Sequence, residues 1–209
     1  MTKKQILTRI ANKDNLGVII AVCAILISAA SFYATYLQAR AAERQVRAMT
    51  MPLLRFTHGN FDEVSKTAYL EFTLKNAGVG PAILQSVVFK YKNQNLSELG
   101  DFIRACCAAE AAQYREQIQQ LLDAHNDVTQ GGSVTSPLHA GVIIPGQDEY
   151  NFYGLYAHEN SDVLWNKINE ERWKLSLDIC YCSLLGECFQ TLAGTTVEEV
   201  KACPVTKHP

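Results

Sequence analysis

At 209 residues and a net charge of −2, the chain has room for one membrane span and one further domain near the common size of about 100–150 residues, and a second globular domain does not fit. Its 19 Lys and Arg against 21 Asp and Glu form no large basic block. That excludes a nucleic-acid binder, which gathers cations on one face to neutralise phosphates.

Residues 15–37 read NLGVIIAVCAILISAASFYATYL, with no charge between Leu16 and Leu37. As a helix this crosses a hydrocarbon core of roughly 30 Å. Tyr33 and Tyr36 fall near its C-terminal end, where amphipathic rings suit the headgroup level. Lys3, Lys4, Arg9 and Lys13 precede the run and small residues follow it, as in a cleaved signal peptide. The apolar run exceeds the roughly 7–15 residues of a signal core, so an uncleaved anchor is expected. Residues 1–14 then form a cytoplasmic tail, because the four cations ahead of the span outnumber Arg40, Arg44 and Arg47 behind it. Gly17-x-x-x-Ala21 and Ala30-x-x-x-Ala34 would let two such helices approach, in a homo-oligomer through the span or in contact with a larger membrane protein. Cys23, inside the run, reads as a small apolar residue.

Residues 38–51 keep a helix-favouring composition up to Pro52 and predict a helical stalk. Beyond the proline the period shortens. Residues 53–61, 68–74 and 82–91 predict three strands, with Asn76, Gly78, Gly80 and Pro81 supplying the turn between the second and third. From 97 to 125 the composition turns helical, and Ile103, Cys107, Ala111, Tyr114, Ile118, Leu122 and His125 recur at three and four residues, predicting a long inserted helix. Strands resume at 141–144 and 149–155 across the Pro145–Gly146 turn. A short helix at 161–169 leads into the strand 172–182, where Trp173, Leu175, Leu177 and Ile179 alternate with polar residues, and a last strand covers 188–192. The expected class is mainly β (α+β): a membrane helix and stalk, then at 52–209 an antiparallel β-sandwich of about seven strands with one long inserted helix.

LEFTLKNAGVGPAILQSVVF followed by VIIPGQDEYNFYGL resembles the strand, Asn-x-Gly turn, strand and Pro-Gly turn of bacterial immunoglobulin-like domains of the CARDB type, over about half of the soluble part. The resemblance implies a binding or spacer module without catalytic residues. The inserted helix and the cysteine-rich C-terminal part depart from that pattern, and fold alone does not fix function.

Of seven cysteines, Cys106, Cys107, Cys180, Cys182, Cys188 and Cys203 lie outside the span, an even set that suits an oxidising compartment. In a bacterium that compartment is the periplasm. Strand residues two apart sit about 6.4–6.8 Å from each other, at the edge of what a disulfide accepts, so Cys180 and Cys182 are not expected to bridge. Cys182 and Cys188 flank a turn between antiparallel strands, and that bridge is expected first. Cys106 and Cys107 are adjacent on a helix, where a mutual bridge demands a distorted peptide unit; each is expected to find a distant partner such as Cys180 or Cys203.

Zinc sites favour Cys-x2–4-Cys pairs, whereas this chain offers Cys-x-Cys-x5-Cys, with His139 and His208 as loose candidates. No Cys-x-x-Cys opens a helix, and His58, His125, His139, His158 and His208 form no pair at metal spacing. Glu170–Glu171 reads as a solvated turn rather than an acid–base pair, and Trp165 and Trp173 as core. No cofactor is expected. The function expected is a non-catalytic accessory or scaffold subunit partnered with another envelope protein. A ligand-binding sensor and a metal- or thiol-dependent enzyme are the alternatives.

Overall fold

The computed structural model describes residues 3–124, 131–194 and 196–204, with side chains from residue 16 onward; His125 and His208 lie outside the described residues. Two compact units emerge, Met1–Ala48 and Met49–Pro209. The described residues of the first, from Lys3 on, lie in one helix, α1 (Lys3–Thr50). Residues 3–14, expected as a tail, are part of that helix, because nothing before Pro52 removes a backbone donor. From Leu16 the helix is long and apolar enough to cross a membrane. Thr35 returns its hydroxyl to the Ser31 carbonyl, which spares that polar group from standing unpaired on an apolar face, and Arg40 lies over the Tyr36 ring.

Among its described residues the second unit carries ten strands: β1 (Leu54–Gly59), β2 (Tyr69–Asn76), β3 (Ala82–Tyr91), β4 (Gln94–Leu96), β5 (Ser133–Thr135), β6 (Ile143–Ile144), β7 (Glu149–Tyr156), β8 (Leu175–Cys182), β9 (Cys188–Leu192) and β10 (Thr196–Val200). Two helices, α2 (Leu99–Asp123) and α3 (Asp162–Glu171), join them. All pairing is antiparallel. One sheet runs β1-β2-β7-β5, the other β10-β9-β8-β3-β4 with β6 beside β3. About seven strands were expected. The additional ones, β4, β5 and β10, hold three, three and five residues, too short for an alternation to show.

Core and period agree. Leu175, Leu177, Ile179 and Tyr181 of β8 are all buried in one cluster with Leu70, Phe72 and Leu74 of β2 and Phe152 of β7. Phe152 meets Phe89 of β3 edge-on at 6.0 Å between centroids, so residues of both sheets share that core. Lys92 and Asn93 both take positive φ, 45° and 67°, the two-residue hairpin geometry that matches strand twist.

Two elements depart from their expected form. Residues 172–174 make a 3₁₀ turn ahead of β8, which takes Trp173 out of the alternation and leaves it 72 % exposed. Helix α2 begins at a capping arrangement in which Asp101 accepts from the Ser97 and Glu98 amides. It is kinked at Cys107, whose φ of −144° and ψ of 32° are not helical. The kink resets the helix phase. Phe102, Cys107 and Ala111 are the buried residues, with Ile103 only partly so and Leu122 exposed.

Candidate functional site

The six cysteines outside the apolar helix form three bridges. Cys182 and Cys188 stand opposite each other across the β8–β9 ladder, with Cα atoms 4.0 Å apart, and are bonded. Cys180, two residues away on β8, is bonded to Cys203, which lies beyond the end of β10. Cys180 is only 2 % exposed although its β8 neighbours facing the core are the odd-numbered residues, so the bridged tail covers it. The Sγ atoms of Cys182, Cys188 and Cys203 all lie within 4.8 Å of one another. Metal ligation requires thiolates, and here every one of these sulfurs is committed to a bridge.

Cys106 and Cys107 do not take distant partners: they are bonded to each other, Cα atoms 3.8 Å apart. The expectation assumed an unbroken helix. Cys107 instead leaves helical dihedrals, and that break admits the vicinal bridge.

The turn residues converge on residues 50–53. The Asn76 carboxamide, fully buried, accepts from the Leu53 and Gly78 amides, both at 3.0 Å, and donates to the carbonyls of Gly80, Ile144 and Pro145 at 2.8, 3.2 and 3.0 Å. A Cβ on Gly78 would overlap the Met51–Leu53 backbone, one on Gly80 the Thr50 backbone, and one on Gly146 the Val79 carbonyl. Pro81 follows directly on Gly80, ahead of β3. This knot is structural; its groups are all backbone and amide.

Glu171 contradicts the expectation of a solvated turn. It is buried, accepts from the Tyr91 hydroxyl at 2.6 Å and from Lys174 Nζ at 2.9 Å, and has Lys92 and Lys167 nearby. The Tyr91 hydrogen bond, then Lys174, hold its pKa down at about 2, so it stays ionised and does not work as a proton donor near neutrality. Its folded pKa lies below the unfolded value of about 4.3. The stabilisation is therefore present above about pH 4.5 and fades as pH falls toward 2. In urea melts of the full chain in micelles, Glu171→Gln is expected to cost roughly 1–2 kcal/mol at pH 7, discounted for the solvent-screened lysines, and almost nothing near pH 2.

The remaining cluster joins β1 to the end of α3. Arg172, 6 % exposed, donates from Nη1 to His58 Nδ1 at 2.6 Å and from Nε to Asn169 Oδ1 at 2.9 Å. Asn60 donates to the same oxygen at 3.2 Å. Nδ1 of His58 is thus an acceptor, with burial first and the Arg172 charge second lowering its pKa. The exposed Trp173 ring covers the guanidinium at 4.4 Å and meets His58 edge-on at 4.9 Å. Among the described residues Arg172 has no carboxylate partner; its neighbour Glu171 is committed to Tyr91 and the lysines. A buried guanidinium without an acid is costly, and the indole face offsets about 0.5–2 kcal/mol of that. Sequence reasoning missed this group because His58 is brought to Arg172 across 114 residues and the 3₁₀ turn has no periodic signature.

The His139 ring bonds the adjacent Ala140 carbonyl at 2.8 Å, and His158 sits in the turn ahead of α3, where its amide donates to Ser161 Oγ at 3.1 Å. Neither joins the cysteines. No protein-family model, curated protein or solved structure matches the chain.

Proposed function

We propose that the chain is a membrane-anchored, non-catalytic interaction subunit, an accessory or scaffold whose head engages another envelope protein at the Trp173–Arg172–His58 group. One observation carries this: an indole 72 % exposed lies over a buried guanidinium that has no acid partner among the described residues. Trp and Arg dominate interface energetics when a partner seals them from water, and a carboxylate on that partner would complete Arg172.

The finer architecture and location belong to the same reading. The shared aromatic core supports the two sheets facing each other as an immunoglobulin-like, CARDB-type β-sandwich. Three bridges in one head suit an oxidising compartment. That supports a bacterial periplasmic head, an inner-membrane span and a cytoplasmic N-terminus. An enzymatic role is disfavoured: Glu171 is locked as an anion and His58 serves as an acceptor for Arg172.

The test is gentle detergent extraction of the full chain from its native membrane, affinity capture and mass spectrometry. A stoichiometric membrane protein is expected with the wild type, with recovery reduced at least about tenfold by Trp173→Ala. Wild type recovered alone, or undiminished capture by the variant, overturns the proposal.

A further inference from the structure

We propose that the two neighbouring bridges, Cys182–Cys188 and Cys180–Cys203, form one thiol–disulfide exchange centre, open to a dithiol protein that enters at Cys188. The geometry starts from β8. Cys180 and Cys182 are two residues apart on one strand, so their side chains leave the same face, and Cys188 is the cross-strand neighbour of Cys182. The tail brings Cys203 onto that face, with its sulfur within 4.8 Å of those of both Cys182 and Cys188. Cys203 is thus bonded to Cys180 with its sulfur within 4.8 Å of that of Cys182, the neighbour with which it can exchange.

Access is graded. Cys182, Cys188 and Cys203 are partly exposed, whereas Cys180 is buried. Between Cys182 and Cys188 the turn presents Leu184 and Leu185, 64 % and 55 % exposed, while the Ser183 hydroxyl, accepting from the Leu185 and Glu187 amides, fixes the turn. Two apolar side chains held out beside an accessible disulfide suit a protein that carries its dithiol next to an apolar surface. This site is separate from Trp173 and does not rest on the partner proposed there.

The steps balance as a two-electron reduction of the chain by a dithiol. One thiolate of the dithiol attacks Cys188 Sγ; a mixed disulfide forms, the Cys182–Cys188 bond breaks and Cys182 leaves as a thiolate. Cys182 attacks Cys203 Sγ; the Cys182–Cys203 bond forms, the Cys180–Cys203 bond breaks, and the Cys180 thiolate takes up a proton in its buried site, where the charged form is disfavoured. The second thiol of the dithiol attacks the mixed disulfide, leaves as a closed disulfide with its proton released, and frees Cys188. The chain then holds a Cys182–Cys203 bridge with thiols at Cys180 and Cys188.

Two independent bridges would leave thiols as an original pair, and the experiment separates the cases. The full chain in micelles is treated with about one equivalent of dithiothreitol per chain, quenched in acid, denatured, alkylated and peptide-mapped. Alkylation at Cys180 and Cys188 together with a Cys182–Cys203 peptide is expected in at least roughly a tenth of the singly reduced chains. Alkylation confined to Cys182 with Cys188, or to Cys180 with Cys203, overturns the exchange centre. Cys188→Ser provides a second reading without reductant. Its Cys182 thiol should divide Cys203 between Cys182 and Cys180, whereas an undisturbed Cys180–Cys203 bridge beside a free Cys182 also overturns it.

Discussion

Asn76→Ala is expected to lower the stability of the head by more than about 3 kcal/mol, a fall in Tm of roughly 6–12 °C for a unit of this size. The side chain is fully buried and serves five backbone groups, its oxygen accepting from two amides and its two N–H hydrogens shared among three carbonyls. Alanine leaves the Leu53 and Gly78 amides and the Gly80, Ile144 and Pro145 carbonyls without this partner. A single buried group left unpaired costs about 1–3 kcal/mol, so the loss of even two such partners exceeds an ordinary point substitution. Asn76→Asp should be nearly as damaging, because a second oxygen would then face three carbonyls where Nδ2 now donates. Thermal melts of the full chain in micelles, followed by tryptophan fluorescence, measure both. A shift of under about 2 °C for Asn76→Ala would mean that residues 50–53 are held by something else.

The turn around Asn76 is legible because Gly and Pro punctuate it and an Asn side chain mimics backbone; that the same carboxamide also holds the Pro145 turn depends on pairing across 69 residues, which no local pattern carries. β8 is legible from Leu175 to Tyr181 because one face is buried and the period is two. Trp173 looks like its next member and is not, since a 3₁₀ turn intervenes. Adjacency in the β8–β9 hairpin makes the Cys182–Cys188 pairing readable. The Cys106–Cys107 pairing was missed because helix composition around the kink is uninterrupted and gives no hint that Cys107 abandons helical dihedrals. Glu171 fails for another reason. Its surroundings in sequence are polar, and only the arrival of Tyr91 from β3 buries and ties it. The site at Arg172 combines both causes, so its chemistry is visible only once β1 and α3 lie side by side.

Gly80→Ala is expected to cost more than about 3 kcal/mol, while Gly186→Ala costs about 1 kcal/mol. The contrast isolates space from backbone conformation. Gly186 sits at φ +81° with nothing within 4 Å of an added Cβ, so alanine there meets only the left-handed penalty of an L residue. Gly80 is not in the left-handed region, but its Cβ would occupy the main chain of Thr50, which no side-chain rotation relieves. To make room, residues 50–53 must withdraw. That withdrawal breaks the Gly80–Met51 and Ala77–Leu53 backbone bonds, 3.4 and 2.9 Å, along with the Asn76 bond to Leu53. Overpacking against backbone therefore becomes loss of the whole knot. Parallel urea melts in micelles check the order: Gly80→Ala should fall well below Gly186→Ala in midpoint at unchanged slope, and equal midpoints would show that the 50–53 segment yields freely. Combined with Asn76→Ala the two costs should not add, since either one alone already releases residues 50–53.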